Sequence, residues 1–203
     1  MPSSPESGAK AWAGLAALLA VAAFLASLLD ARSIDWQPGL AWREPWRAWT
    51  AALVHLSPLH LAANLAGAVA VAVLGWAARL PRRSAVAWAV AWPLTQWGLL
   101  ARPDLLHYGG LSGVLHAGVA VAALFLAVRA SGARRAVGVA TLAVTIAKVV
   151  SEAPWGAVLR QPEGWDIAVA PVAHATGLLA GLACAGAAEL LRHSRARPRD
   201  RET

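Results

Sequence analysis

Apolar residues do not alternate with polar ones along this chain. They collect into runs at roughly 11–29, 51–78, 84–101, 110–128, 136–151 and 167–191, each rich in Ala, Leu and Val and separated by charge, Pro or Gly. Backbone groups in a bilayer core must be satisfied within the segment, and long runs without period-two alternation suit helices rather than barrel strands. Each run is close to the ~20 residues that cross hydrocarbon. The pattern predicts an all-α, polytopic membrane protein: a six-transmembrane-helix bundle over 11–191, between an N-terminal stretch 1–10 and a basic tail 192–203. The first run follows Lys10 as a signal peptide would. It is nearly a full span and lacks a small-x-small cleavage site before Asp30, so it is read as retained.

Composition agrees, with 58% hydrophobic and 14% charged residues and a mean hydropathy of +0.52, beyond an average soluble domain. Cys184 is the only cysteine, which excludes a disulfide framework and a cysteine-rich metal site. A formal charge of +7 would suggest nucleic acid only if the basic residues gathered on one soluble face. Instead Arg79, Arg82 and Arg83, then Arg129, Arg134 and Arg135, then Arg192 to Arg201 follow alternate runs. They mark the cytoplasmic side and place both termini there, beside anionic lipid rather than nucleic acid. The opposite connections are mixed or acidic, with Asp30, Arg32, Asp35, Arg43, Glu44 and Arg47 in the first. Trp36, Trp42, Trp46 and Trp49 with Pro45 make that first outer loop an interfacial element.

Polar residues inside spans are costly and face a cavity or the bundle interior. In the second run His60 and Asn64 stand at i,i+4 on one helical face, with His55 upstream and Gly67 a turn further on. Alone, they read equally as hydrogen-bonding glue between helices. The fourth run opens with Gly110-Leu111-Ser112-Gly113-Val114-Leu115-His116. A serine at a helix start has unpaired N–H groups and a positive dipole end beside it, an arrangement suited to an oxyanion, although an isolated Gly-x-Ser-Gly reads first as a helix cap. The sixth run carries His174, with Gly177 and Gly181 on its side, small enough for close helix approach. Counting from Asp166 places His174 ~12 Å below the outer end of its helix. Ser112, His60 and Asn64 all enter from that same side.

Together these residues resemble the rhomboid intramembrane serine proteases: Trp46-Arg47 before the second span, His60 and Asn64 with His55 upstream, Gly110-Leu111-Ser112-Gly113, and Ala173-His174 followed by Gly177. They occur in the family's order on the appropriate spans, from the first run to the sixth. The resemblance implies a rhomboid-like bundle with Ser112 as nucleophile and His174 as general base. It implies an oxyanion hole from the His60 and Asn64 side chains with the Ser112 backbone N–H, supported by Gly110 and Gly113. Where many rhomboids carry a tyrosine four residues after the serine, this chain has His116, and the stretch resembles the rhombosortase branch. That branch implies cleavage of Gly-Gly-containing C-terminal anchors of exported bacterial proteins, at the inner (cytoplasmic) membrane with the site toward the periplasm. His116 packs beside His174 or bonds a loop in this reading and is not catalytic.

No acidic residue in spans two, four or six is placed to orient His174, so a Ser-His dyad is expected. Lys148 and Glu152 form an i,i+4 pair near the outer end of span five, read either as a snorkelling ion pair or as a possible substrate gate. No cofactor and no metal is expected. The expected partners are a membrane-anchored protein substrate and the lipid bilayer. A catalytically silent relative would generally have lost the serine or histidine, and a small transporter finds no inverted repeat to support it.

Overall fold

The computed structural model describes residues 5–196, which form helices and turns with two isolated β-bridges and no strand. Six long helices dominate: α1 Pro5–Ala26, α4 Pro58–Ala77, α5 Arg82–Trp97, α6 Ser112–Arg129, α7 Gly132–Ser151 and α8 Pro171–Ala196, with two short ones, α2 Ala31–Ile34 and α3 Arg47–Thr50, in the loop between α1 and α4. Four of them, over Glu6–Ala26, Pro58–Ala77, Ser112–Arg129 and Pro171–Ser194, are long and apolar enough to cross a membrane. The other two differ from these: α5 is only 16 residues long, and α7, at 20 residues, holds Arg134, Arg135 and Lys148.

Three run boundaries shift for local reasons. The first helix begins six residues before the apolar run and stops at Ala26; its added first turns carry an i,i+4 Glu6–Lys10 ion pair, 2.7 Å apart. The second run is two elements: Ala51–Leu53 is a 3-10 turn of the loop before α4, Val54 is extended, and the helix starts at Pro58. The Ser57 hydroxyl accepts from the His60 N–H at 3.0 Å and Pro58 occupies the first helical position, a paired start signal that interrupts the apolar run. The sixth helix begins at Pro171 and continues to Ala196, so His174 is its fourth residue, about 5 Å along the axis rather than 12. The tail predicted from 192 is helical as far as Ala196, and 197–203 lies outside the described residues.

The central helix is α6, packed against α4, α5, α7 and α8. Two fully buried tryptophans fasten its neighbours. Trp12 donates its indole N–H to Val71 O at 2.8 Å, and its ring lies 4.6 Å from that of Trp88, which donates to Val114 O at 2.8 Å. These bonds satisfy two indole N–H groups that would be costly to bury unpaired. At the arginine-rich end Glu189 accepts from Arg83 at 3.1 Å and Arg129 at 2.6 Å, tying α5, α6 and α8 together. The α6–α8 seam is built from small residues. A Cβ on Gly113 would lie 2.7 Å from Ala173 O, and one on Gly181 would lie 2.8 Å from the Ala117 Cα, so the helices meet at backbone distance.

The opposite end is capped by the loop between α1 and α4. Of its tryptophans Trp42, Trp46 and Trp49 are exposed, whereas Trp36 is fully buried, a correction to the picture of four interfacial indoles. Trp36 and Tyr108 exchange backbone bonds of 2.8 and 3.0 Å, which joins this loop to the one before α6. Beneath them the buried Arg47 guanidinium bonds Glu44 at 2.6 Å, Asp35 O at 2.8 Å and the Asp35 carboxylate at 3.2 Å, and His107 meets the other Asp35 oxygen at 2.7 Å.

Candidate active site

Four of the predicted residues meet at the loop-capped end of the bundle. Ser112 is the first residue of α6, preceded by a loop held down at three points: the Trp36–Tyr108 pair, Gly110 N–H to Ala51 O at 3.0 Å, and Tyr108 O–H to Gly110 O at 3.2 Å. Gly110 has φ +147°, and a Cβ there would meet the His60 ring at 3.0 Å. Only glycine fits this bend without strain, and the bend carries Ser112 into the bundle. Its Oγ lies 3.0 Å from His174 Nε2. The serine is therefore no side-chain cap of its own helix; the capping position belongs to Leu111.

His174 is 5% exposed. On its second face the His116 ring is stacked, 4.3 Å away at 17°, while His116 Nδ1–H donates to Ser112 O at 2.7 Å. This places the ring four residues after the serine against the base. His60 and Asn64 are both buried on α4, and Asn64 Nδ2 donates to His60 O at 3.0 Å. The His60 ring abuts Gly110, two residues before the serine. The positive end of α6, with N–H groups that its own first turn leaves unpaired, opens beside Ser112, so a negative oxygen bound here meets both a dipole and side-chain donors.

The expected dyad has a third neighbour. Glu152 follows the last residue of α7 and places Oε2 2.6 Å from His174 Nδ1; its Oε1 accepts from Lys148 Nζ at 2.7 Å, and that ammonium is 3.3 Å from Nδ1. The carboxylate comes from none of α4, α6 and α8 but from the residue that follows α7. Burial pushes the Glu152 carboxyl up, but the hydrogen bond and charge of His174 and the Lys148 ammonium outweigh it and hold the group down at about 2. It is thus a carboxylate at any physiological pH. Lys148 and Glu152 were legible as an i,i+4 pair; their contact with His174 was not, because it depends on where α7 stops beside the start of α8.

His55 stands outside α4, with Nδ1 3.0 Å from Leu53 O and its ring 4.8 Å from that of His60. Burial lowers its pKa from the ordinary histidine value, against the opposing pull of the Leu53 carbonyl. It supports His60 from the loop. A further link was not foreseen: Ser57, at the head of α4, donates to Asp166 at 2.8 Å, fastening the loop before α8 over the site.

Ser112, His116, His174, His60 and Asn64 line a cavity of about 580 Å³. Its walls are Ala63, Gly67, Ala70 and Val71 of α4 on one side and Val144, Thr145, Lys148 and Glu152 of α7 on the other, under Pro162, Trp165 and Val169. The floor beside Ser112 is apolar, with Leu115 and Val119. Among the described residues no group of three His, Cys, Asp or Glu is arranged to hold a metal ion.

A family model of the rhomboid domain matches residues 42–188, from the loop between α1 and α4 into α8. No curated protein matches the chain.

Proposed function

The chain belongs to the rhomboid family, and we propose that it is an intramembrane serine endopeptidase that cuts membrane-anchored proteins with Ser112 as nucleophile and His174 as base. The observation that carries this reading is the 3.0 Å approach of Ser112 Oγ to His174 Nε2 at the floor of a cavity, the geometry of an activated hydroxyl. In the first half-reaction Ser112 Oγ attacks the scissile carbonyl while its proton passes to His174 Nε2. His60, Asn64 and the Ser112 N–H face the developing oxyanion, where one preorganised donor is worth about 3–4 kcal/mol. Collapse breaks the C–N bond, His174 delivers the proton to the departing amine, and the acyl group stays on Ser112. Water, deprotonated by His174, then releases the acid and restores the hydroxyl.

In the membrane arrangement we propose, all six long helices span, with α5 continuing through the 3-10 turn Gly98–Ala101 to reach span length. The arginine-rich end faces the cytoplasm with both termini, and the site faces the periplasmic side of a bacterial inner membrane. Residues 1–10 and 192–203 flank this domain. The substrate class we favour is the rhombosortase one, a C-terminal anchor preceded by Gly-Gly. His116 stacked on His174 and the small residues Ala63, Gly67 and Ala70 on the α4 wall support it, since a wall of small residues lets an extended main chain approach closely.

The test is a purified, liposome-reconstituted protein incubated with a reporter ending in Gly-Gly, an apolar span and a basic tail. Cleavage at or beside the Gly-Gly pair by the wild type, and none by Ser112→Ala, is expected. Equal cleavage of a reporter whose glycines are replaced by valines would remove the sorting role while leaving the protease. An uncut reporter bound equally by both proteins would point to a silent binding relative.

A further inference from the structure

Behind His174, α7 brings up a carboxylate and an ammonium for which the proposed bond cleavage has no use. Resting on the serine-protease reading above, we propose that Glu152 is a positioning residue that fixes the tautomer of His174, and that Lys148 is its counter-ion, making a charge-compensated Ser112–His174–Glu152 triad.

Proton placement supplies the argument. For Ser112 to donate, His174 Nε2 must be bare, so the imidazole proton resides on Nδ1. That N–H has one acceptor within reach, Glu152 Oε2 at 2.6 Å. Lys148 Nζ, 3.3 Å from the same nitrogen, has no lone pair there to bond, and its proton goes instead to Glu152 Oε1 at 2.7 Å. Each carboxylate oxygen therefore has one donor, and the carboxylate is divided between holding the ring and holding the ammonium. Without Glu152 the imidazole is free to take the Nε2–H form, which cannot accept the serine proton.

The charges also oppose each other. His174 is faced by His60 from α4, by Ser112 and His116 from α6, and by Lys148 and Glu152 from α7. Among the described residues lining the cavity Glu152 is the only acid. It favours the imidazolium that forms as the serine loses its proton, and Lys148 disfavours it.

The test needs no substrate. The full-length protein in detergent is treated with a fluorophosphonate, and the rate of Ser112 phosphonylation is followed by intact mass across pH. Glu152→Gln keeps the shape and an acceptor but removes the charge. Its rate is expected to fall roughly 10²–10⁴-fold, as when a triad acid is neutralised, with the acid limb of the profile moved to lower pH by about one unit. Lys148→Met is expected to move that limb the opposite way, by a similar amount, and the double variant to return it toward wild type while the rate stays low. A purely structural role would change rates without opposite shifts. If Lys148→Met and Glu152→Gln, each folded by circular dichroism, leave the limb where it stands, the triad is overturned and the dyad remains. If wild-type Ser112 does not react faster than Ser112 in the His174→Ala variant, the protease reading itself falls, and the triad with it.

Discussion

Gly177→Ala tests how finely the α6–α8 seam sets the reacting distance. Gly177 lies one turn below His174 and faces Gly113, the residue after the nucleophile. A Cβ on Gly177 would lie 2.7 Å from the Gly113 carbonyl carbon and closer still to its oxygen, against an ordinary contact of 3.4 Å. The helices must part by about 1 Å or more, because the carbonyl oxygen is the nearer obstacle and, being backbone, is not relieved by any side-chain rotamer. If that displacement passes to His174, the Ser112 Oγ–Nε2 separation of 3.0 Å grows to about 4 Å, beyond hydrogen-bond reach. Misplacement on the 1 Å scale costs about 10²-fold in rate, while overpacking costs about 1–3 kcal/mol of stability. The assay is kcat and KM for reporter cleavage together with thermal unfolding in detergent. Gly186→Ala is the control, on the same helix at a position where a Cβ meets nothing within 4 Å. We expect kcat to fall about a hundredfold in Gly177→Ala with little change in KM, and Gly186→Ala to behave as wild type. A folded Gly177→Ala enzyme with wild-type kcat would refute the idea that this seam sets the catalytic distance.

Two other outcomes follow from the packing and the oxyanion geometry. Trp12→Ala removes a fully buried indole, its bond to Val71 O and its contact with Trp88; a loss of about 3–5 kcal/mol is expected, read as a lowered unfolding midpoint, and an unchanged midpoint would mean α1 is not fastened there. Asn64→Ala is expected to lower kcat about 10²–10³-fold without unfolding the protein, and a wild-type kcat would remove Asn64 from the oxyanion hole.

Much of this arrangement was legible in the residues because it depends on local spacing. His60 and Asn64 share a face by helical period, Gly177 and Gly181 mark a close seam, and Gly110-Leu111-Ser112-Gly113 announces a bend into a helix. What escaped was set by tertiary placement. Trp36 reads as interfacial among its neighbours, yet pairing with Tyr108 buries it. The second run looks continuous because Ala51–Leu53 is as apolar as the helix after it, and the Ser57-Pro58 start signal was outweighed by that hydropathy. Glu152 was visible beside Lys148, but its distance to His174 is fixed by how α7 and α8 lie against α6, which no spacing within one helix encodes.

The central claim is that Ser112 becomes acylated by the protein it cuts. Reporter turnover in liposomes is quenched with acid, and the peptide carrying Ser112 is weighed. The account predicts the mass of the amino-terminal product esterified to Ser112 in the wild-type enzyme, and neither adduct nor product with Ser112→Ala. Undiminished turnover by Ser112→Ala, or an adduct on another residue, would contradict it.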